Sequence, residues 1–100
     1  SSKLQVVDIQ ALASFATYLI DRPSLVIELQ GHTDNVGSSA VNRRLSQARA
    51  DVVKKVLVDL GVADQRIHAV GYGDSDAIAH NDNAAGRALN RRTSFQVLAQ

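Results

Sequence analysis

The chain has 100 residues, a formal net charge of +1, 45% apolar and 21% charged residues, and no cysteine. That is one domain's worth of a globular composition, with no disulfide framework and no thiolate site. The near-zero charge argues against nucleic acid or an anionic membrane surface as a bulk electrostatic partner.

From Leu4 to Ile20, apolar positions recur at steps of three and four (Val7, Ala11, Leu12, Phe15, Ala16, Leu19). This spacing predicts an amphipathic helix, closed by Asp21-Arg22-Pro23. Leu25 to Leu29 (LVIEL) predicts a short buried strand that empties into the loop GHTDNVGS at 31–38. A helical region then runs from about Ser39 to Leu60 and stops at Gly61, with Leu45-Ser46 as a candidate break inside it because Ser is a good N-cap. Ile67 to Gly71 (IHAVG) predicts a second strand, 73–85 a polar loop, 84–90 a helical turn, and Thr93 to Leu98 a last strand with Phe95 and Val97 on one face. The order α, β, α, β, β points to helices on one face of a small mixed sheet. No apolar run approaches the roughly 18 residues of a membrane helix. The chain contains no Met, and is expected to be a domain of something larger.

Two charged residues carry the chemical signal. Arg49 falls on the apolar stripe of Val52, Val53, Val56, Leu57 and Leu60. With Ser46 as cap it would also lie in a first turn, where a cation opposes the helix dipole. Asp34 sits between two glycines ahead of a helix. A strand end and the start of the next helix are neighbours in an α/β layer, so residues fifteen positions apart can face one pocket. A carboxylate beside a guanidinium suits a ligand carrying both an ammonium and a carboxylate, each charge-assisted hydrogen bond contributing about 1.5–3 kcal/mol. Bland readings stay open beside this one. Asp34 can cap a turn, and Arg49 can snorkel or form a structural ion pair with Asp34. Amides from Val36 to Ser39 at the helix N-terminus offer a further anion site.

Other chemistries lack their residues. His32 and Asp34 have no further ligand at metal spacing, so no metal or cofactor is expected, and His32 is expected to be packed and to fix the loop. Ser38, Ser39 and Ser46 have no Gly-x-Ser-x-Gly elbow and no base beside them. Glu28, the only Glu, has no acid partner at a readable spacing. The basic cluster Arg87, Arg91 and Arg92 lacks an aromatic platform for nucleic acid. No catalysis is expected.

Taken together, GHTDNVGS at 31–38, Asn42, LSQARADVV from Leu45 to Val53, GVADQRI at 61–67, GYG at 71–73 and GRALNRR at 86–92 resemble the OmpA-like peptidoglycan-binding domain of OmpA, Pal and MotB type. The resemblance covers nearly the whole chain. It implies a two-layer α/β sandwich that binds peptidoglycan noncovalently at the meso-diaminopimelate of the stem peptide. By similarity, Asp34 takes that residue's ammonium and Arg49 its carboxylate. Thr33, Asn35, Val36 and Asn42 would wall the pocket or fix the loop, with Arg92 near the site. It further implies a periplasmic domain of a Gram-negative envelope protein, reaching the membrane only through its parent chain. The family usually opens with a strand that is not present here. The expectation is therefore one domain over 1–100 lacking that strand, with a sheet edge left open to pairing. The same fold used for assembly or homodimerisation is the competing reading.

Overall fold

A computed structural model of the chain describes residues 6–75 and 93–100, with side chains from residue 11 onward. Helix α1 spans Val6–Ile20, strand β1 Val26–Gly31, helix α2 Ser39–Asp59, strand β2 Ile67–Gly71 and strand β3 Thr93–Ala99. A single 3₁₀ turn, Asp64–Arg66, precedes β2. The sheet order is β2-β1-β3, with β1 and β2 parallel and β1 and β3 antiparallel. Among the described residues, helices packed on a small mixed sheet make the architecture the sequence pattern implies.

The core is one cluster. Leu12, Ala16 and Leu19 of α1 and Val53 and Leu57 of α2 meet Leu25, Ile27, Leu29, Val62 and Ile67. Alternation along β1 sends Ile27, Leu29 and Gly31 toward the helices. Full burial of each large side chain contributes roughly 1.5–3 kcal/mol. Phe95 and Val97 do share a face, opposite Leu29 and Ile27. That face is only half covered: Phe95 packs on Phe15 with ring centroids 4.5 Å apart yet stays 48% exposed.

Helix α2 departs from expectation in one respect. It is continuous for 21 residues, with no break at Leu45-Ser46. The cap is Ser38, whose hydroxyl accepts the Val41 amide at 3.2 Å. Ser46 is instead a fully buried residue within the helix. Arg49 therefore lies in mid-helix, and the dipole conflict expected there does not arise. At the other end Leu60 is 45% exposed and has left the apolar stripe. Gly61 takes φ +111°, its amide bonds Val58, and the Val62 amide bonds Leu57, both carbonyls at 3.0 Å. These are the two bonds of a Schellman stop, so the sequence signal at Gly61 is correct.

Helix α1 ends where the chain turns at Pro23. The Arg66 guanidinium caps that end, donating to the carbonyls of Leu19 at 2.7 Å, Arg22 at 2.6 Å and Leu25 at 2.9 Å.

Candidate functional site

The buried stripe of α2 changes character along its length. Val53 and Leu57 are apolar, but Asn42, Ser46 and Ala50 toward the N-terminus are small or polar. Three glycines explain how that half packs. Gly31 and Gly71 are paired in register at the C-terminal ends of the parallel strands. A Cβ on Gly31 would stand 1.9 Å from the Ser46 carbonyl oxygen, and one on Gly71 would stand 2.4 Å from the Gln47 amide nitrogen. Backbone therefore lies directly on backbone. Gly73, at φ +61°, lies in ordinary contact with the helix, where a Cβ would be 3.4 Å from the Arg43 amide nitrogen.

This close approach positions the loop that follows β1. At one end Gly31 abuts Ser46 and Ala50, and at the other a Cβ on Gly37 would lie 3.6 Å from Asn42 Oδ1. Residues 32–36 are thus bracketed along the stretch of α2 from Asn42 to Ala50, which carries Arg49. The parallel ladder also continues past the strands. Tyr72 donates its amide to Gly31 at 3.0 Å and Thr33 donates to Gly73 at 2.8 Å.

Within the loop the expected residues divide. Thr33 is 5% exposed, Asp34 7% and, on α2, Asn42 2%. Arg49 is half-buried, Asn35 is exposed and Val36 is 63% exposed. Arg92 lies outside the described residues, as do Arg87, Arg91 and the turn expected at 84–90. Asp34 Oδ1 accepts the Val36 amide at 3.0 Å, the Asx turn that the bland reading of this residue allowed. That amide is thereby withdrawn from the anion site expected at 36–39. Two buried atoms, Thr33 Oγ1 and Asn42 Nδ2, have no hydrogen-bond partner among the described residues.

His32 packs as expected. Its ring stacks on Tyr72 with centroids 5.7 Å apart, and Nε2 is 3.2 Å from Ser94 Oγ. Tyr72 is fixed in turn by donating its hydroxyl to Glu28 Oε1 at 2.6 Å. Among the described residues no group of three or more His, Asp or Glu side chains could hold a metal ion.

Sequence reasoning missed the polar partners that join strand β2 to α2. Ser46 Oγ donates to the Arg43 carbonyl and accepts the Gly73 amide, both at 2.8 Å. The Gln47 amide group donates to the Ala69 carbonyl and accepts the Gly71 amide, both at 2.9 Å, filling the edge of β2 as a further strand would. The sequence carries no local signal for these bonds, because the glycines that Ser46 and Gln47 meet lie 27 and 24 positions away.

The family model of the OmpA family matches residues 1–91. Outer membrane porin F of Pseudomonas fluorescens is 50% identical over 93 residues, covering 93% of this chain and 28% of the porin. Peptidoglycan-binding protein ArfA of Mycobacterium tuberculosis is 40% identical over 90 residues, covering 90% of this chain and 28% of ArfA. The chain therefore spans under a third of the length of these curated relatives. Among solved structures, the peptidoglycan-associated lipoprotein from Burkholderia pseudomallei superposes with a TM-score of 0.90 at 35% identity, covering 100% of this chain and 83% of that one. With a family model over most of its length and relatives at these identities, the chain belongs to the OmpA family.

Proposed function

We propose that this domain anchors its parent protein noncovalently to peptidoglycan by holding the free amino-acid end of meso-diaminopimelate in the stem peptide. The role is non-catalytic and periplasmic. Two relatives named as peptidoglycan-binding and peptidoglycan-associated support the partner. The observation that carries the mechanism is the pair of buried atoms Thr33 Oγ1 and Asn42 Nδ2, which have no partner among the described residues. Buried polar groups are normally bonded, and each one left unmade costs about 1–3 kcal/mol. A ligand rich in donors and acceptors would satisfy both.

In this reading Asp34 receives the ammonium and Arg49 clamps the carboxylate through two parallel bonds. Val36 and Asn35 form the exposed rim. Single-site affinity can be modest, because the wall repeats its epitope and a tethered parent raises the local concentration.

Pull-down by purified sacculi tests the reading. Arg49→Ala and Asp34→Ala should each abolish retention on diaminopimelate-type wall while the fold persists. Wall of the lysine type, whose side chain lacks the carboxylate, should retain even the parent sequence poorly. Undiminished retention of the two variants would remove the site.

A second reading, an assembly module, draws on β3. It is an edge strand of the described sheet, and its Phe95, Val97 and Leu98 are exposed. A dimer in solution that ignores sacculi would favour it.

A further inference from the structure

We infer that Ser46 is a positioning residue for the diaminopimelate site, tying the loop that carries Asp34 to the helix that carries Arg49; this rests on the function proposed above. Ser46 is fully buried three residues before Arg49, on the same turn of α2. Its single hydroxyl proton is committed to the Arg43 carbonyl at 2.8 Å, which leaves its lone pairs for the Gly73 amide, also at 2.8 Å. The Gly73 carbonyl then accepts the Thr33 amide at 2.8 Å. Three short bonds thus run from α2 through the residue after Tyr72 to the neighbour of Asp34.

A helical serine bonded only to its own preceding turn would be unremarkable. The second bond, to a backbone amide 27 positions away, makes Ser46 a tertiary fixture. Its effect is geometric. The carboxylate loop and the guanidinium are both indexed to one helical turn, so a shift of Gly73 moves Asp34 relative to Arg49. Gln47 pins β2 one step earlier, at Ala69 and Gly71, but makes no bond to the segment that holds Thr33.

The experiment is a titration of the protein with meso-diaminopimelate, followed by amide chemical shifts, in a set of double-mutant cycles. Ser46→Ala should weaken binding about tenfold, the scale of coupling between residues that share one hydrogen-bonded network. The loss should nearly vanish in an Asp34→Asn background and persist in full in an Arg49→Lys background. A purely structural serine would couple equally to both backgrounds, and that result overturns the role. In the unsubstituted protein, diaminopimelate should slow amide hydrogen exchange at Gly73 and Thr33. Unchanged exchange at Gly73 also overturns it, whether or not Ser46→Ala folds. If Asp34→Asn and Arg49→Lys both bind undiminished, the site itself fails and the inference with it. If they weaken binding and Ser46→Ala does not, only the inference fails.

Discussion

Gly31 and Ser46 are in direct backbone contact: the position a Cβ would occupy on Gly31 lies 1.9 Å from the Ser46 carbonyl oxygen. The nearest obstacles are peptide atoms of a packed helix, which cannot rotate aside as a side chain could. Gly31→Ala should therefore push α2 off the sheet. Its cost should reach the top of the usual overpacking range of about 1–3 kcal/mol or exceed it. Gly71→Ala should behave alike, since its Cβ would meet Gln47 at 2.4 Å. Urea midpoints measure this. A shift of under half a kcal/mol in either variant would mean that the helix rides higher than described.

Strand β2 was legible down to Gly71, whereas the sequence pattern ends β1 at Leu29 and gives Gly31, its last residue, to the loop. The apolar run LVIEL and the segment IHAVG give away β1 and β2 because burial writes itself into composition. The end of α2 was equally plain at Gly61. The candidate break at Ser46 is absent for a physical reason. A hydroxyl at a helix N-cap and a hydroxyl buried under a glycine strand look the same in one dimension. Only the Gly73 amide, 27 positions away, distinguishes them. The true cap, Ser38, sits next to another serine, and local pattern alone does not choose between them. Asp34 was legible as a loop carboxylate and Arg49 as a cation among apolar neighbours. Neither residue's sequence context reveals that three glycines bring the loop and the helix together.

Ser38 supplies a second prediction. Its hydroxyl accepts the Val41 amide, one of the donors that a helix N-terminus leaves unmade. Ser38→Ala should cost about 1 kcal/mol, while Ser38→Gly should cost only a few tenths. Denaturation of the pair should show this order. A Ser38→Ala loss of under a few tenths of a kcal/mol would indicate that the Val41 bond contributes nothing.

Arg66 is expected to matter for folding and not for binding. Its guanidinium reaches three carbonyls at the end of α1 and in the turn after it. Arg66→Ala removes charge-assisted bonds of about 1.5–3 kcal/mol gross worth each, discounted because the group is part-exposed. A net loss of about 2 kcal/mol is expected. Arg66→Lys should recover little of it, because an ammonium cannot reproduce a planar fork serving three acceptors. Sacculus retention, measured well below the melting temperature, should stay unchanged in both. Reduced retention of the folded variants would place Arg66 in the ligand's path.

Thr33 offers the clearest separation of binding from stability. Its hydroxyl is buried and makes no hydrogen bond among the described residues, while its amide is held by Gly73. Thr33→Val keeps the β-branched shape and that amide bond and deletes only the hydroxyl oxygen. In the ligand-free protein this relieves an unmade polar group, so stability should hold or rise by up to about 1–2 kcal/mol. With diaminopimelate present the order should reverse. A ligand that binds only the folded state raises its stability with the logarithm of its concentration over its dissociation constant, and the valine variant should gain less from it. Melting curves with and without the ligand test both halves together. Should Thr33→Val destabilise the free protein, its hydroxyl already has an internal partner, and the main support for a ligand at this position is gone.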